Sequence, residues 1–431
     1  MGVVTRAQKR RLELEEQQDR ISDLPDGVLG DIVSLLPTKD GARTQLLSSR
    51  WRPLWRAAPL HVDLHLRQKS LHRTPAGDVP LILSAHPGPG RRFSVHMDHA
   101  ATTADLDGWL RSPAVDNLRE LEIHFDTALL RWGTPPLPLP ASALRFSSTI
   151  RVANFYACVF PDGSNSNDNG RVLQWPLLKQ LTLSSVTVSE RSLQALLAGC
   201  SALESLLLDE NEGFTRVKIV SPSLIRIGVC SRWGYDDDEP RLEQVVIEDA
   251  PCLERLVIFE GLEMDISVIS APRLSVLGKL HGDCHMIQFG TRGLQVSEAV
   301  VGLAAVVRSL RIEPVEDKDK PYDRYQKLTG ALDIRLRKIV LSYYHDSKAY
   351  IDFAKFFVMN ASMLESMRLE FKPGGKDDVW IRRQRRLQKI GKRASRGARF
   401  DFVSRSGSHS LSPEKQVHDM SILDPFERIH Y

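Results

Sequence analysis

The chain has 431 residues, too many for one compact core, so two or three domains are expected. Its 42% hydrophobic and 26% charged residues describe an ordinary soluble protein, and a net charge of +4 implies no global pull towards nucleic acid or membrane. The charged N-terminus excludes an ordinary secretory signal, and without an apolar run of 18 residues no transmembrane helix is expected. Residues 1–19 pass from basic (Arg6, Lys9, Arg10, Arg11) to acidic (Glu13, Glu15, Glu16), the pattern of a frayed or disordered tail. From Ile21 the pattern changes. Val28, Leu29, Ile32, Val33, Leu35 and Leu36 recur at helical spacing, with Asp23 or Asp26 to cap the helix and Pro25 suited to its first turn. Pro37 stops it, Thr38 can cap a second helix through Gln45, and Ser48 or Ser49 opens a third turn with Trp51, Leu54 and Trp55. Three such short helices cannot bury their own apolar surface, so the tryptophans and leucines left over imply a permanent partner. Gly27 and Gly30 each weaken the first helix by ~1 kcal/mol relative to alanine.

Residues 21–56, ISDLPDGVLGDIVSLLPTKDGARTQLLSSRWRPLWR, resemble the F-box in order and without a gap. In that family the helices dock onto the Skp-type adaptor of an SCF ubiquitin ligase. The resemblance sets a domain at 20–58 and implies adaptor contact for Leu24, Pro25, Leu29, Ile32, Leu36, Leu47 and Trp51. Through the adaptor it implies a cullin and a RING subunit.

Residues 59–117 read as a linker and the first strands of a repeat domain. Pro59 to Leu66 alternates like a strand, Arg67 to Gly77 is a polar loop, and a turn at His86–Gly90 leads into a strand at Arg92–Met97. Over 118–330 a unit L-x-x-L-x-L recurs. It appears as Leu118/Leu121/Ile123, Leu178/Leu181/Leu183, Leu203/Leu206/Leu208 and Leu224/Ile227/Val229. It continues as Leu242/Val245/Ile247, Leu253/Leu256/Ile258 and Leu274/Leu277. From 178 to 274 the copies start 25, 21, 18, 11 and 21 residues apart. Each short strand has an apolar edge that only its neighbours can bury. Ser189 to Cys200 reads as a capped helix with Leu193, Leu196 and Leu197 inward, and 127–175 as strand fragments and loops. The repeats resemble the irregular leucine-rich repeats of plant F-box proteins. The regular form wants Asn or Cys eight residues after the first leucine; that place holds Asn211 once, and otherwise Asp126, Val186, Arg232, Ala250 or Gly261.

Within 331–431, Leu332 to Tyr344, Phe353 to Phe357, Asn360-Ala361, Met363 to Glu365, Arg393 to Ala398 and Asp424-Pro425-Phe426 resemble the FBD region that follows such repeats. They read as strand, buried helix (350–361), strand, charged helix (377–391) and tail, extending and sealing the repeat stack. Arg308 to Gly330 is shorter than the family's usual connection, as a lost repeat or a missing piece would make it. The expected fold class is α/β: a three-helix F-box, then an irregular leucine-rich-repeat solenoid closed by an FBD region.

No GxSxG, HExxH, P-loop or GxGxxG context is present, so a non-catalytic chain without cofactor or metal is expected. Five cysteines (158, 200, 230, 252, 284) form no CxxC pair and fit reduced, buried thiols. His281, Asp283, Cys284 and His285 are too cramped for a tetrahedral site, and Asp236 to Glu239 reads as a solvated loop. Arg382, Arg383, Arg385, Arg386, Lys389, Lys392 and Arg393 form an amphipathic surface helix with Ile381, Leu387 and Ile390 at helical spacing. In L-x-x-L-x-L the third and fifth positions point away from the inward leucines. They align Gln180, Ser205, Leu207, Arg226, Gln244, Val246, Arg255 and Val257 as a stripe for an unknown target protein, with Leu207, Val246 and Val257 exposed. The reading is a substrate receptor in the nucleus and/or cytoplasm. Its alternatives are an interaction scaffold outside any ligase and a nucleic-acid binder through 382–393.

Overall fold

Pro25, in extended geometry, leads directly into helix α1 (Asp26–Ser34). Neither Asp23 nor Asp26 caps it. Instead Arg50 reaches back and donates to the Asp26 carboxylate at 2.7 Å and the Leu24 carbonyl at 2.6 Å. Helix α2 (Thr38–Arg43) runs into a 3-10 turn, Thr44–Leu46, and α3 (Trp51–Ala57) starts after Arg50, with no side-chain cap. Leu29 and Val33 of α1 are buried with Leu54 of α3. The two tryptophans join them, 6% exposed at Trp51 and 9% at Trp55, so they build this core and are not left over for a partner. Trp55 sits directly over Gly41, where a methyl group would collide with the indole, and meets His86 edge-on at 4.8 Å.

The computed structural model describes residues 21, 23–36, 38–65, 76–86, 88–97, 101–125, 136–161, 174–230, 242–258, 264–274, 276–280, 286–289, 298–302, 337–342, 344, 346, 351, 354–355, 357–359, 361–371 and 378–404. The readings on 1–19, Pro37, 236–239, 281–285, 308–330 and 424–426 lie outside them. The chain divides into two units, 1–121 and 122–431. In the first, β1 (Leu60–His65) and β2 (Gly90–Met97) pair in parallel, Val62 opposite Phe93 and Leu64 opposite Val95. Two helices there were not expected, α4 (Val79–Ala85) and α5 (Thr103–Leu110). Both are too short for their periodicity to stand out. A capping box announces α5: the Asp105 N–H donates to the Thr102 hydroxyl, and the Thr102 N–H donates to the Asp105 carboxylate. Strand β3 (Glu120–Phe125) carries the chain into the second unit.

The second unit is built from short parallel strands. Two-residue strands β4 (Leu137–Pro138) and β6 (Cys158–Val159) pair on their own. The main sheet begins with β5 (Val152–Tyr156), β7 (Gln180–Ser184), β8 (Ser205–Asp209), β10 (Arg226–Cys230) and β12 (Arg255–Ile258). It goes on through β14 (Val276–Leu280), β16 (Glu298–Gly302), β17 (Lys338–Ser342), β18 (Ser366–Phe371) and β19 (Arg399–Ser404). A second sheet holds β9 (Arg216–Val220), β11 (Gln244–Asp249), β13 (Asp265–Val268) and β15 (Met286–Phe289). Between 205 and 302 the chain therefore visits the two sheets alternately, one strand in each.

Register turns the repeat into a core. Ala153, Leu181, Leu206, Ile227 and Leu256 face one another on successive strands, followed by Phe155, Leu183, Leu208, Val229 and Ile258, all buried. Val217, Val245 and Ile266 make the corresponding buried row of the second sheet. The copy at Leu242 belongs to that sheet, which explains its awkward spacing: without it the 18- and 11-residue intervals merge into one of 29. The β5 copy escaped the pattern because Ala153 stands where leucine is usual. After each of β5, β7 and β8 a residue turns left-handed (Ala157, Ser185, Glu210) and donates its N–H to the next strand's last residue. Asn211 then works as the repeat asparagine: Nδ2 donates to the Leu183 carbonyl at 2.9 Å, and Oδ1 accepts from the Val186 N–H at 3.0 Å.

Helix α6 (Glu190–Gly199) is capped by Ser189 and buries Leu193 and Leu196. Its Gln194 lies on the edge of β9, and the amide orientation that satisfies both of its ends has the nitrogen donating to the Lys218 carbonyl (3.0 Å) and the oxygen accepting from the Lys218 N–H (2.8 Å). A side-chain amide thus stands where another strand would pair. Residues 351, 354–355 and 357–359 are helical, with Ala354 and Val358 buried, as the reading of 350–361 required. Helix α7 (Asp378–Leu387) lies on the last strands. Of the three apolar residues at helical spacing Ile390 is buried, Ile381 half-buried and Leu387 exposed, while the helix turns Trp380, Gln384 and the following Gln388 inward. Trp380 packs on Phe371 at 5.0 Å and near Tyr344 and Phe402, and the buried Tyr344 hydroxyl donates to Gln384 Oε1 and accepts from Gln388 Nε2, both at 2.8 Å.

Candidate protein-docking site

On the helical segment, packing sorts the seven expected adaptor contacts into three groups. Pro25, Ile32 and Leu47 are exposed, Leu24 and Leu36 half-buried, and Leu29 and Trp51 fully inside. Leu29 and Trp51 are therefore corrected from contact residues to core: apolar side chains on the inner faces of α1 and α3 gain more from each other than from standing in water. The outer face of α1 carries Val28, Ile32 and Leu35 at i, i+4 and i+7. The turn after α2 adds Leu46 and Leu47, 84% and 67% exposed. Val28, Leu35 and Leu46 were not singled out as outward-facing, because spacing alone does not tell which side of a short helix is covered. These are apolar side chains that their own unit leaves open.

On the repeat unit, Gln180, Ser205, Arg226 and Arg255 do fall in one register row, with Leu207 and Val257 in the next. Gln244 and Val246 do not join them; they stand on the second sheet. Exposure is corrected too. Ser205, Leu207, Arg255, Val246 and Val257 are buried, while Gln180, Arg226 and Gln244 are half-buried. Leu207 and Val257 cluster with Cys230, since aliphatic groups aligned on strands about 4.8 Å apart form a continuous patch whose covering is favourable. What remains open lies one step earlier, where the chain enters the strands. A shallow groove there is lined by Lys179, Glu204, Ser223, Cys252, Glu254 and Arg273, with Lys179 Nζ 2.6 Å from Glu204 Oε1.

Burial pushes the Cys158 and Cys200 thiols up to about 12, far from a nucleophilic thiolate. Burial likewise holds His86 below the usual imidazole range, partly offset by its contact with the Ala58 carbonyl. Among the described residues no group of His, Cys, Asp and Glu is placed to hold a metal, and no helix is long and apolar enough to cross a membrane.

Comparison with known proteins matches both parts of the chain. The F-box domain model matches residues 21–63, and the LRR-repeat model of the FBD-associated F-box protein At5g56370 matches residues 106–318. The chain carries an F-box and FBD-associated leucine-rich repeats, and its relatives are F-box/FBD/LRR-repeat proteins. Among its relatives in Arabidopsis thaliana, the F-box/FBD/LRR-repeat protein At5g56420 is 32% identical over 248 residues, covering 54% of this chain and 56% of that protein. The F-box/FBD/LRR-repeat protein At3g52680 is 29% identical over 255 residues, covering 57% of this chain and 54% of its own length. The chain thus spans about half the length of the curated relatives it matches. Its Asn211 and left-handed turns are the repeat's own features, and its Tyr344–Gln384–Gln388 contact lies within the stretch that resembles the FBD region.

Proposed function

We propose that this chain is the substrate-recognition subunit of an SCF-type ubiquitin ligase. The observation that carries it is the apolar surface of Val28, Ile32, Leu35, Leu46 and Leu47, left open by a unit that has already buried both of its α3 tryptophans. A Skp-type adaptor is the partner that this F-box would hold there, and through it a cullin and a RING subunit. The repeats and the FBD-like strands together would form an irregular closed solenoid. The groove along its strand-entry rim, between Lys179 and Arg273, is the surface offered to a target protein. No residue acts chemically: a receptor raises the local concentration of target lysines near the charged enzyme. The nucleus and/or cytoplasm is the matching location.

The test is co-purification of the full chain with a Skp-type adaptor. Each leucine-sized side chain withdrawn from water contributes roughly 1.5–3 kcal/mol, so Ile32→Asp with Leu47→Asp is expected to weaken capture at least tenfold. Melting of the free chain should hardly change, because neither side chain is in the core. Capture that survives the pair leaves the scaffold reading in front.

A further inference from the structure

The outer face of α7 has a composition that its packing does not use. Arg385 donates to the Phe400 carbonyl at 3.1 Å and lies over Phe402, and Arg393 donates to the Arg396 and Ile390 carbonyls. Those two cations belong to the fold. Arg382, Arg383 and Arg386, with Lys389 and Lys392 beyond the helix end, are exposed, and among the described residues no carboxylate pairs with them. Two apolar side chains stand among them, Val379 at 62% and Leu387 at 39% exposure. Val379, Arg383, Arg386 and Leu387 follow i, i+4, i+7 and i+8, which puts them on one stripe of the helix. The neighbouring stripe, one residue or about 100° further round the helix, is fastened through Trp380, Gln384 and Gln388, so the outer one is held in a fixed orientation.

We infer that the outer stripe of α7 is a second docking surface, for a short amphipathic segment of a protein partner in which Glu or Asp flanks aliphatic residues. Charge complementarity fixes the sign of the partner. The apolar pair fixes its class: exposed valine and leucine gain nothing against a phosphodiester backbone but bury well against leucine. The aromatic groups near the helix, Trp380 and Phe402, pack on the fold and give nucleic-acid bases no stacking platform among the described residues. This inference is independent of the F-box reading, since it uses only the second unit.

Fluorescence anisotropy with the full chain tests it, at near-physiological salt. The probe is a short synthetic helical peptide with Leu and Glu alternating at i, i+4 spacing. Arg382→Ala/Arg383→Ala/Arg386→Ala is expected to weaken binding by at least about tenfold, and Val379→Ser/Leu387→Ser by several-fold. Removing as many exposed cations elsewhere, Lys39→Ala/Arg52→Ala/Arg56→Ala, should leave it unchanged. Circular dichroism and melting confirm that each variant is folded. Two further probes decide the class: the peptide with every Leu changed to Ser, and single-stranded poly(U). Weak binding of both upholds the inference. It is overturned if poly(U) binds as tightly and responds to the arginine variants, if the Ser peptide binds equally well, or if the α7 substitutions have no effect.

Discussion

Gly27 and Gly30 sit inside α1 with open space where a Cβ would go, and both have ordinary helical backbone angles. Nothing in the folded chain requires glycine at either place. Gly27→Ala and Gly30→Ala should each stabilise the first unit by ~0.5–1 kcal/mol, read as a rise in melting temperature. Gly41 is the opposite case, because Trp55 occupies the space of its missing side chain. His86 makes the same helices sensitive to acid. Its imidazole is neutral and buried against Ala58 and Trp55, and its proton affinity is depressed chiefly by burial, as is that of His61. Above the ordinary histidine range both states are neutral and the packing contributes in full. On acidification the unfolded chain takes up the proton first, so stability should fall from about pH 6.5 downward. Melting measured through mild acid checks this, and His86→Gln should be less stable at neutral pH with a flatter profile. The thiols behave as their burial demands: brief alkylation of the native chain should label Cys252 ahead of Cys158 and Cys200.

At the scale of elements, two contacts invite substitution. Tyr344→Phe removes the hydroxyl shared by Gln384 and Gln388 and leaves both amides buried without it, a loss of roughly 1–3 kcal/mol in melting or denaturant titration. Gln194→Leu uncovers the backbone of β9, and concentration-dependent association in gel filtration is the expected consequence. Much at this scale was readable in advance. Leucines at a fixed offset placed β7, β8, β10 and β12 and their register, since each buried row needs one branched side chain per strand. The second sheet was not readable. Its strands β9 and β13 carry only Val217/Ile219 and Ile266/Val268, two inward positions each, too few to separate from a loop. The β11 strand looked like a repeat of the wrong sheet for the same reason. Alternation could show which residues of the target stripe share a face, but not that Leu207 and Val257 would be covered, because covering depends on segments far away in the chain.

For the molecule as a whole, the two proposed docking surfaces lie in separate units, and their energies should add. A chain carrying Ile32→Asp/Leu47→Asp together with Arg382→Ala/Arg383→Ala/Arg386→Ala is expected to lose adaptor capture and peptide binding by the same factors as the separate variants, within about 0.5 kcal/mol. Any larger discrepancy would mean that the units communicate. The F-box was legible from the first helices onward; which leucines face outward was not, because three short helices can share out their apolar faces in more than one way.

The single-file order of the strands also has a mechanical consequence. Between β7 and β19 each strand of the main sheet touches only the strand before and the strand after it along the chain's own progress. Pulled from β19, such a stack has no distant strand partner among the described residues and gives way one strand at a time, like a zip. Main-sheet strands of neighbouring turns begin between 21 and 40 residues apart. At about 3.6 Å per extended residue, each release lengthens the tether by roughly 75–145 Å. A force trace with a staircase of that tread, in place of one large rupture, is what this protein should write.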